Sequence, residues 1–530
     1  MITAEDDAPA RTRRKELIDR LAQPHRYDLA VIGGGATGLG VALDAAARGF
    51  SVVLIESHDF AKGSSSRATK LVHGGVRYLA QGNISLVRGA LHERKTLLAN
   101  APHLAQPLAF VMPCYKFWEA PFYGSGLKLY DALAGKAGLG DTEFLSRAET
   151  LARLPTLQPR GLKGGIQYCD GQFDDARLAL ALARTAARRG ALLVNYCAAT
   201  GLIHEGGKLV GVRAKDQETG HTCELKARCV VNATGVWVDS LRMQDGEAIG
   251  RVARPMVAPS QGVHIVVDRA FLPGDHAMLI PRTADGRVLF AVPWLGKIIL
   301  GTTDTPRHDL ALEPLPFREE VDFILRESAR YLTRAPGRAD IKSIWVGLRP
   351  LVRHADDDAQ NTPALSREHT VLVSKSGLVT VTGGKWTTYR SMAAVVLEKC
   401  FAAELLPMRV GMPTDRLRLI GAQHSAIKLS EPPGLHLYGS EAAAVQALPG
   451  AEHELGGGLT EAMVRFAARH EYARTVEDVL ARRSRLLFLD AALARSLAPA
   501  VAELLRQENG MQAQLPSFLA LCDQYSSVPG

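Results

Sequence analysis

Five residues stand where a charged substrate could be held and deprotonated. Arg77, Arg349, Arg367 and Lys385 each lie in or beside a glycine-rich or strand-end segment. An arginine fork grips a phosphate through paired hydrogen bonds, and a lysine adds a point charge. Together they would clamp an anionic small molecule. His264 sits inside the apolar run GVHIVV. Imidazole titrates near working pH, so His264 is a candidate general base. A strand histidine is as readily a packed core residue, so its surroundings decide its role.

These side chains need a reactive partner, and the glycines indicate one. Residues 27–56 read YDLAVIGGGATGLGVALDAAARGFSVVLIE. Residues 29–32 are apolar, as a buried parallel strand requires. Gly33, Gly35 and Gly38 follow at G-x-G-x-x-G spacing. The first gives the tight turn, the second lets a pyrophosphate approach, and the third lets a helix pack closely on the sheet. The helix expected over 37–48 points its N-terminus at the phosphates. A second strand, 51–55, ends in Glu56, placed to accept ribose hydroxyls. That stretch alone fits NAD or FAD. Three further small-residue turns, Gly74-Gly75, Ala233-Thr234-Gly235 and Gly383-Gly384, lie far away in sequence. One long cofactor touching all four turns is the simplest account, which favours FAD. The run KGSSSRATKLVHGG adds Ser65, Ser66, Lys70 and His73 beside Gly74 and Gly75, and GGKWTTYR adds Trp386 and Thr387. Trp386 stands where a P-loop needs Ser or Thr, so Gly383-Gly384-Lys385 is not a P-loop.

Elements must then position these groups. The chain has 530 residues, 47% hydrophobic, enough for two or three domains. The net charge of +8 suits an acidic partner such as anionic lipid or a phosphorylated substrate. The seven cysteines show no C-x-x-C spacing, so neither a metal site nor a disulfide framework is expected. No apolar run reaches the ~18 residues of a membrane span. Helices are expected over 83–98, 175–189, 319–332 and 390–405. Alternating strands over 254–305 predict a largely antiparallel sheet. Residues 407–458 read as a partly ordered linker, and 459–520 as helical, with HEYARTVEDVLARRSRLLFL repeating apolar residues at helical spacing. Residues 114–139 mix Tyr115, Phe117, Trp118, Phe122, Tyr123 and Tyr130 with Lys116, Lys128 and Lys136. Such a stretch suits a lipid headgroup boundary, a core-facing element or a subunit contact.

The segments SSSRATKLVHGGVRYL (64–79), DDARL (174–178), VVNATGVWVD (230–239), GVHIVV (262–267), GTTD (301–304), GLRPL (347–351), SREHT (366–370) and GGKWTTYR (383–390) resemble those of the flavin-dependent respiratory glycerol-3-phosphate dehydrogenases. The resemblance runs from about 27 to about 400, and more weakly through the tail. The tail has no calcium-loop pattern, which aligns it with the bacterial branch. Trp386 and Ala36-Thr37 depart from commoner versions. The resemblance implies oxidation of sn-glycerol 3-phosphate to dihydroxyacetone phosphate, with hydride passing from C2 to FAD and electrons to a quinone. It implies that Arg77, Arg367 and Lys385 hold the phosphate with Tyr78 nearby, and that His264 and Arg349 flank the carbinol. His264 is the favoured base, since an arginine base needs an unusually depressed pKa.

The implied fold is α/β: a discontinuous FAD-binding Rossmann-like domain of the glutathione-reductase or D-amino-acid-oxidase type (27–100, 165–240 and 340–405). It is joined to a mixed, largely antiparallel substrate domain (101–164 and 241–339) and a C-terminal helical domain after the linker (406–530). Residues 1–26 form an N-terminal arm. The expected setting is cytoplasmic, peripheral on the inner face of the membrane, without nucleic acid and with a homodimer open. Competing readings are a glycerol-3-phosphate oxidase using oxygen, a flavin amine oxidase of the same fold, and a flavin-containing binding module without turnover.

Overall fold

Short apolar strands buried on both faces build the first sheet. In the computed structural model, which describes residues 12–75, 83–284, 286–353 and 368–530, the chain enters through helix α1 (Arg14–Ala22) and strand β1 (Arg26–Ile32). β1 runs parallel to β2 (Val52–Ile55) on one side and to Thr222–Asn232 on the other. Thr222–Asn232 in turn pairs in parallel with Leu378–Gly383. Leu192–Val194 extends the parallel set, and His369–Val373 closes the far edge antiparallel. The hairpin of Cys197–Glu205 and Lys208–Asp216 turns at Gly206 and Gly207, both in the left-handed region, as the glycine pair predicts. One face packs on helices α2 (Ala36–Ala47), Asp175–Arg188 and Tyr389–Ala402 through Leu39, Leu178 and Val396. The other face carries Ala30, Ile32 and Val53 against Leu21 of α1. The described part of the N-terminal arm is therefore a docked helix. Arg14 donates to the Tyr196 carbonyl at 3.0 Å and pairs with Asp216.

The second sheet has ten strands. Its axis, Val257–Asp268, is antiparallel to Lys297–Gly301 and to Ser343–Val352. One pair, Ala277–Ile280 with Ala105–Cys114, is parallel. Strand alternation sorts the side chains. Val263, Ile265 and Val267 face one core with Phe323 and Ile324. Val266 faces the other, where Trp294 and Trp345 meet Val479, Leu487, Phe488 and Phe518 of the C-terminal helices. Two borders drawn from sequence move. Gly164–Phe173 pairs with Ala105–Cys114 along its whole length, and Ser343–Val352 pairs with the axis strand. Both belong to the second sheet, because ladder hydrogen bonding, invisible in a single sequence, decides membership. The segment expected as a linker contributes Leu429, Leu437, Tyr438 and Val445 to the C-terminal core.

The expected helical run near residue 480 is interrupted. Glu461–His470 and Ala491–Asn509 are α-helices, but Asp478–Arg483 is a π-helix and Arg485 is left-handed, at φ 68°. The polar positions of that run are not a solvated face. Arg482, Arg483 and Arg485 are buried and pair with Asp59 and Asp175.

Candidate active site

The glycine turn is made by contact, not by flexibility alone. Gly33 has φ 111°, and a Cβ there would stand 2.6 Å from the Ala233 carbonyl oxygen. A Cβ at Gly38 would stand 1.9 Å from the Gly33 oxygen. β1 and Thr222–Asn232 run side by side in register Ile32 to Asn232, which brings Ala233 and Thr234 against the turn. Gly35 caps α2 without a side-chain hydrogen bond. The Ser65 hydroxyl accepts the Ala36 N–H at 2.9 Å, and the Ser65 carbonyl accepts Trp386 Nε1–H at 2.9 Å. Glu56 accepts the Gly34 N–H at 2.6 Å and the His58 N–H at 2.8 Å. A dinucleotide fits this cradle. α2 presents its positive end, the glycines leave backbone open to a pyrophosphate, and Glu56 stands at the end of β2.

The later loops converge on the same cradle. His73 N–H donates to Thr387 Oγ1 at 3.2 Å, and Gly74 N–H to the Tyr130 hydroxyl at 2.8 Å. Gly75, Gly235, Gly383 and Gly384 all take positive φ. The Gly235 carbonyl accepts from Thr382 Oγ1 at 3.1 Å. A Cβ on Gly383 would stand 2.5 Å from the Glu368 oxygen. Residues 33–38, 65–66, 73–75, 233–235 and 383–387 are thus gathered at one end of the parallel strands, as a long cofactor requires.

Beside this cradle lies the second sheet. His264 is buried, and its ring stacks on Trp345 with centroids 5.2 Å apart. Its Nε2 lies 2.9 Å from Thr69 Oγ1, while Nδ1 has no partner among the described residues. Burial, then the charges of Lys70 and Arg349, hold its pKa well below the usual histidine value. His264 is therefore neutral at working pH. Arg349 donates to the Gln261 carbonyl and to Thr302 Oγ1, both at 3.1 Å. It crosses Gly262, where a Cβ would stand 2.2 Å from its Nη2. Lys385 is half-buried between Gly384 and Trp386. Arg77, Tyr78 and Arg367 lie outside the described residues.

Lys70 takes a different place from the one its position in the serine–glycine run suggests. It is fully buried, donates to Asp175 at 2.7 Å and to the Ser66 carbonyl at 2.8 Å, and lies 5.2 Å from the Trp294 ring centre. Burial pushes its pKa down to about 7 against the pull of Asp175. Its ammonium holds protein groups together and faces no solvent. Thr69, Tyr130 and Asp175 make contacts that were not singled out from sequence, although Thr69 and Asp175 lie within the segments 64–79 and 174–178. Thr69 and His264 stand 195 positions apart. The signals for Asp175 were an acidic residue opening a helix and its place in DDARL.

Comparison with known proteins agrees with this geometry. The family of FAD dependent oxidoreductases matches residues 28–390, and the C-terminal domain of alpha-glycerophosphate oxidase matches 412–515. The probable mitochondrial glycerol-3-phosphate dehydrogenase of Caenorhabditis elegans is 41% identical over 531 residues, covering 94% of this chain and 72% of that one. The human mitochondrial glycerol-3-phosphate dehydrogenase is 40% identical over 540 residues, with the same two shares. The solved glycerol-3-phosphate dehydrogenase from Bacillus halodurans, complexed with FAD, is 30% identical and gives a TM-score of 0.76 over 97% of this chain and 98% of that one. A glycine oxidase from Geobacillus kaustophilus, 21% identical, covers 74% of this chain and 99% of its own with a TM-score of 0.52, and shares the fold alone. The cofactor of the cradle is FAD, and the protein is an oxidoreductase. With its cofactor half and its C-terminal domain both matched, the chain belongs to the FAD-dependent glycerol-3-phosphate dehydrogenase family.

Proposed function

We propose that the protein oxidises sn-glycerol 3-phosphate to dihydroxyacetone phosphate and delivers the electrons to a quinone at a membrane surface. The observation that carries this reading is the placement of His264 and Arg349 on neighbouring strands, paired in the register of Val257–Asp268 with Ser343–Val352, next to the cradle loops. Gly33, Gly35, Gly38, Glu56, Ser65, Ser66, His73, Gly74, Gly75, Ala233, Thr234, Gly235, Gly383, Gly384, Trp386 and Thr387 would hold FAD, with Lys70 bracing their loop from behind. When bound, FAD supplies the acceptor for the hydride that leaves C2, at its N5.

The protein's own groups do the rest. Lys385, with Arg77, Tyr78 and Arg367, which lie outside the described residues, is assigned to binding of the phosphate dianion. Arg349 orients the carbinol oxygen. His264 takes the hydroxyl proton. One tautomer gives Nε2–H to Thr69 and leaves the lone pair on Nδ1. A neutral imidazole is the form a base needs, but its depressed pKa makes it a weak one. The arriving dianion offsets the charges of Lys70 and Arg349 and raises its proton affinity, so the base strengthens as substrate binds.

A peripheral membrane position on the cytoplasmic face accompanies this reading. Phe117 is 86% exposed and Phe122 65%, with Trp118 partly exposed beside them, while Lys116 lies over the Trp118 ring. No helix among the described residues is long and apolar enough to cross a membrane. Amphipathic surfaces of this kind settle at the headgroup boundary. The test is anaerobic. Glycerol 3-phosphate should bleach the purified yellow protein, and a quinone should restore its colour faster than oxygen does. Rapid reoxidation by oxygen with stoichiometric peroxide makes it an oxidase instead. No bleaching rejects the substrate, and bleaching by an amino acid alone makes it an amine oxidase.

A further inference from the structure

Among the C-terminal side chains that reach into the catalytic half, Arg485 meets the loop beside His264. Arg485 is fully buried and stands in the left-handed region just after the π-helix Asp478–Arg483. Its Nη2 donates to the Ser66 carbonyl at 2.8 Å and to Asp175 Oδ1 at 2.9 Å. Asp175 uses its other oxygen, Oδ2, to accept the Ala68 N–H at 2.9 Å and Lys70 Nζ at 2.7 Å. Lys70 Nζ returns to the Ser66 carbonyl. Residues 66, 68 and 70 are thus each tied to the Arg485–Asp175 pair or to each other. Thr69, between them, is the residue that meets His264 Nε2.

We propose that Arg485 is a positioning residue of the active site: it fixes the turn of residues 66–70 so that Thr69 sets the orientation of His264. The proposal rests on the reading of His264 as the base given above. Three features separate this contact from an ordinary domain clamp. The guanidinium donates through Nη2 to a backbone carbonyl of the cofactor loop and to a carboxylate, and through Nη1 to the Ala481 carbonyl at 2.7 Å, so one planar group ties three partners. The turn it holds has Ser65 on the cofactor side and Thr69 on the substrate side, so one contact positions both. Its backbone is bent for the purpose, since a π-turn and a left-handed residue aim the side chain inward, and π-turns gather at functional sites. The neighbouring Arg482 and Arg483 hold Asp59 instead, so Arg485 alone in this segment reaches residues 66–70.

The experiment uses the full-length holoenzyme with Arg485→Lys, Thr69→Val and the double variant. Lysine keeps the charge but has one nitrogen where the guanidinium uses two, Nη1 for the Ala481 carbonyl and Nη2 for Ser66 and Asp175. Hydrogen exchange read by mass spectrometry should quicken in peptides covering 64–72 of Arg485→Lys and stay unchanged in α2. Its kcat should fall about tenfold with KM within about twofold, since misplacing a catalytic group costs turnover more than binding. The double variant should be no slower than Thr69→Val, because the second change removes what the first acts through. Unchanged exchange at 64–72, or losses that multiply in the double variant, overturn the proposal. Thr69→Val leaves the ionic contacts whole, so an unchanged kcat there also overturns it, even where Arg485→Lys folds poorly. If glycerol 3-phosphate fails to bleach the wild-type flavin, the substrate reading falls by itself, and the exchange data still decide whether Arg485 holds the turn.

Discussion

Gly33 has no alternative. A methyl group there would meet the Ala233 oxygen at 2.6 Å in a backbone conformation that side chains avoid. Gly33→Ala should fold with flavin content at least about tenfold lower, read from the visible absorbance of purified protein; each tenfold corresponds to ~1.4 kcal/mol of binding. Lys385→Ala should keep its flavin and raise KM for glycerol 3-phosphate roughly 10- to 100-fold, the worth of a charged hydrogen bond. His264→Gln should lower kcat by about 10²- to 10⁴-fold in steady-state assays with KM little changed. The glycine turn was readable because its logic is local: strand, turn, helix and acid all fall within residues 27–56. Thr69 and Asp175 were not, because their partners lie on strands and loops far along the chain. The burial of the Lys70 side chain was not legible for the same reason. Beside serines and glycines it reads as a cofactor contact, and only the fold puts Asp175 and three aromatic rings around it.

At the scale of elements, residues 114–139 divide. Tyr115 and Tyr130 turn inward, Tyr130 donating its hydroxyl hydrogen to Asp170 at 2.9 Å, while Phe117 and Phe122 stay in solvent. Aromatic composition could not assign these faces. Helical phase within Glu119–Ala134 does so for Phe122 and Tyr130. Replacing Phe117, Trp118 and Phe122 with Ser should leave flavin reduction by glycerol 3-phosphate intact and release the protein from anionic vesicles in a sedimentation assay. The strands were largely legible from period-two alternation, but their assignment to sheets was not. The segment around residue 480 shows the limit from the other side. Its apolar spacing is genuinely helical, yet three arginines that pattern places on a wet face are buried against carboxylates of the cofactor half. Charge complementarity across 300 or more residues leaves no trace in a window of twenty.

The molecule as a whole keeps neutral histidines inside. Burial, with Arg177 and Arg184 nearby, pushes His103 down to about 3 from the ordinary 6.5. A group that stays neutral when folded but gains a proton when unfolded favours the unfolded state in acid. Its stabilising share is whole above pH 6.5 and shrinks as pH falls toward 3. At pH 5 the loss from His103 is about 2 kcal/mol. The midpoint of thermal unfolding should therefore fall between pH 7 and 5, before carboxylates titrate, and His103→Gln should flatten that slope. The long reach of the buried arginines has a further consequence during synthesis. Asp59 leaves the ribosome early, but Arg482 and Arg483, which neutralise it, come 423 and 424 residues later, and Arg485 follows Asp175 by 310. At translation rates of roughly 5–20 residues per second, the nascent chain carries an uncompensated carboxylate in its cofactor half for roughly 20–85 s. The cofactor half cannot complete its own interior until the last domain has been made. A ribosome that stalls before residue 482 would hold a chain that keeps its glycine turn and still lacks the charges meant to sit behind it.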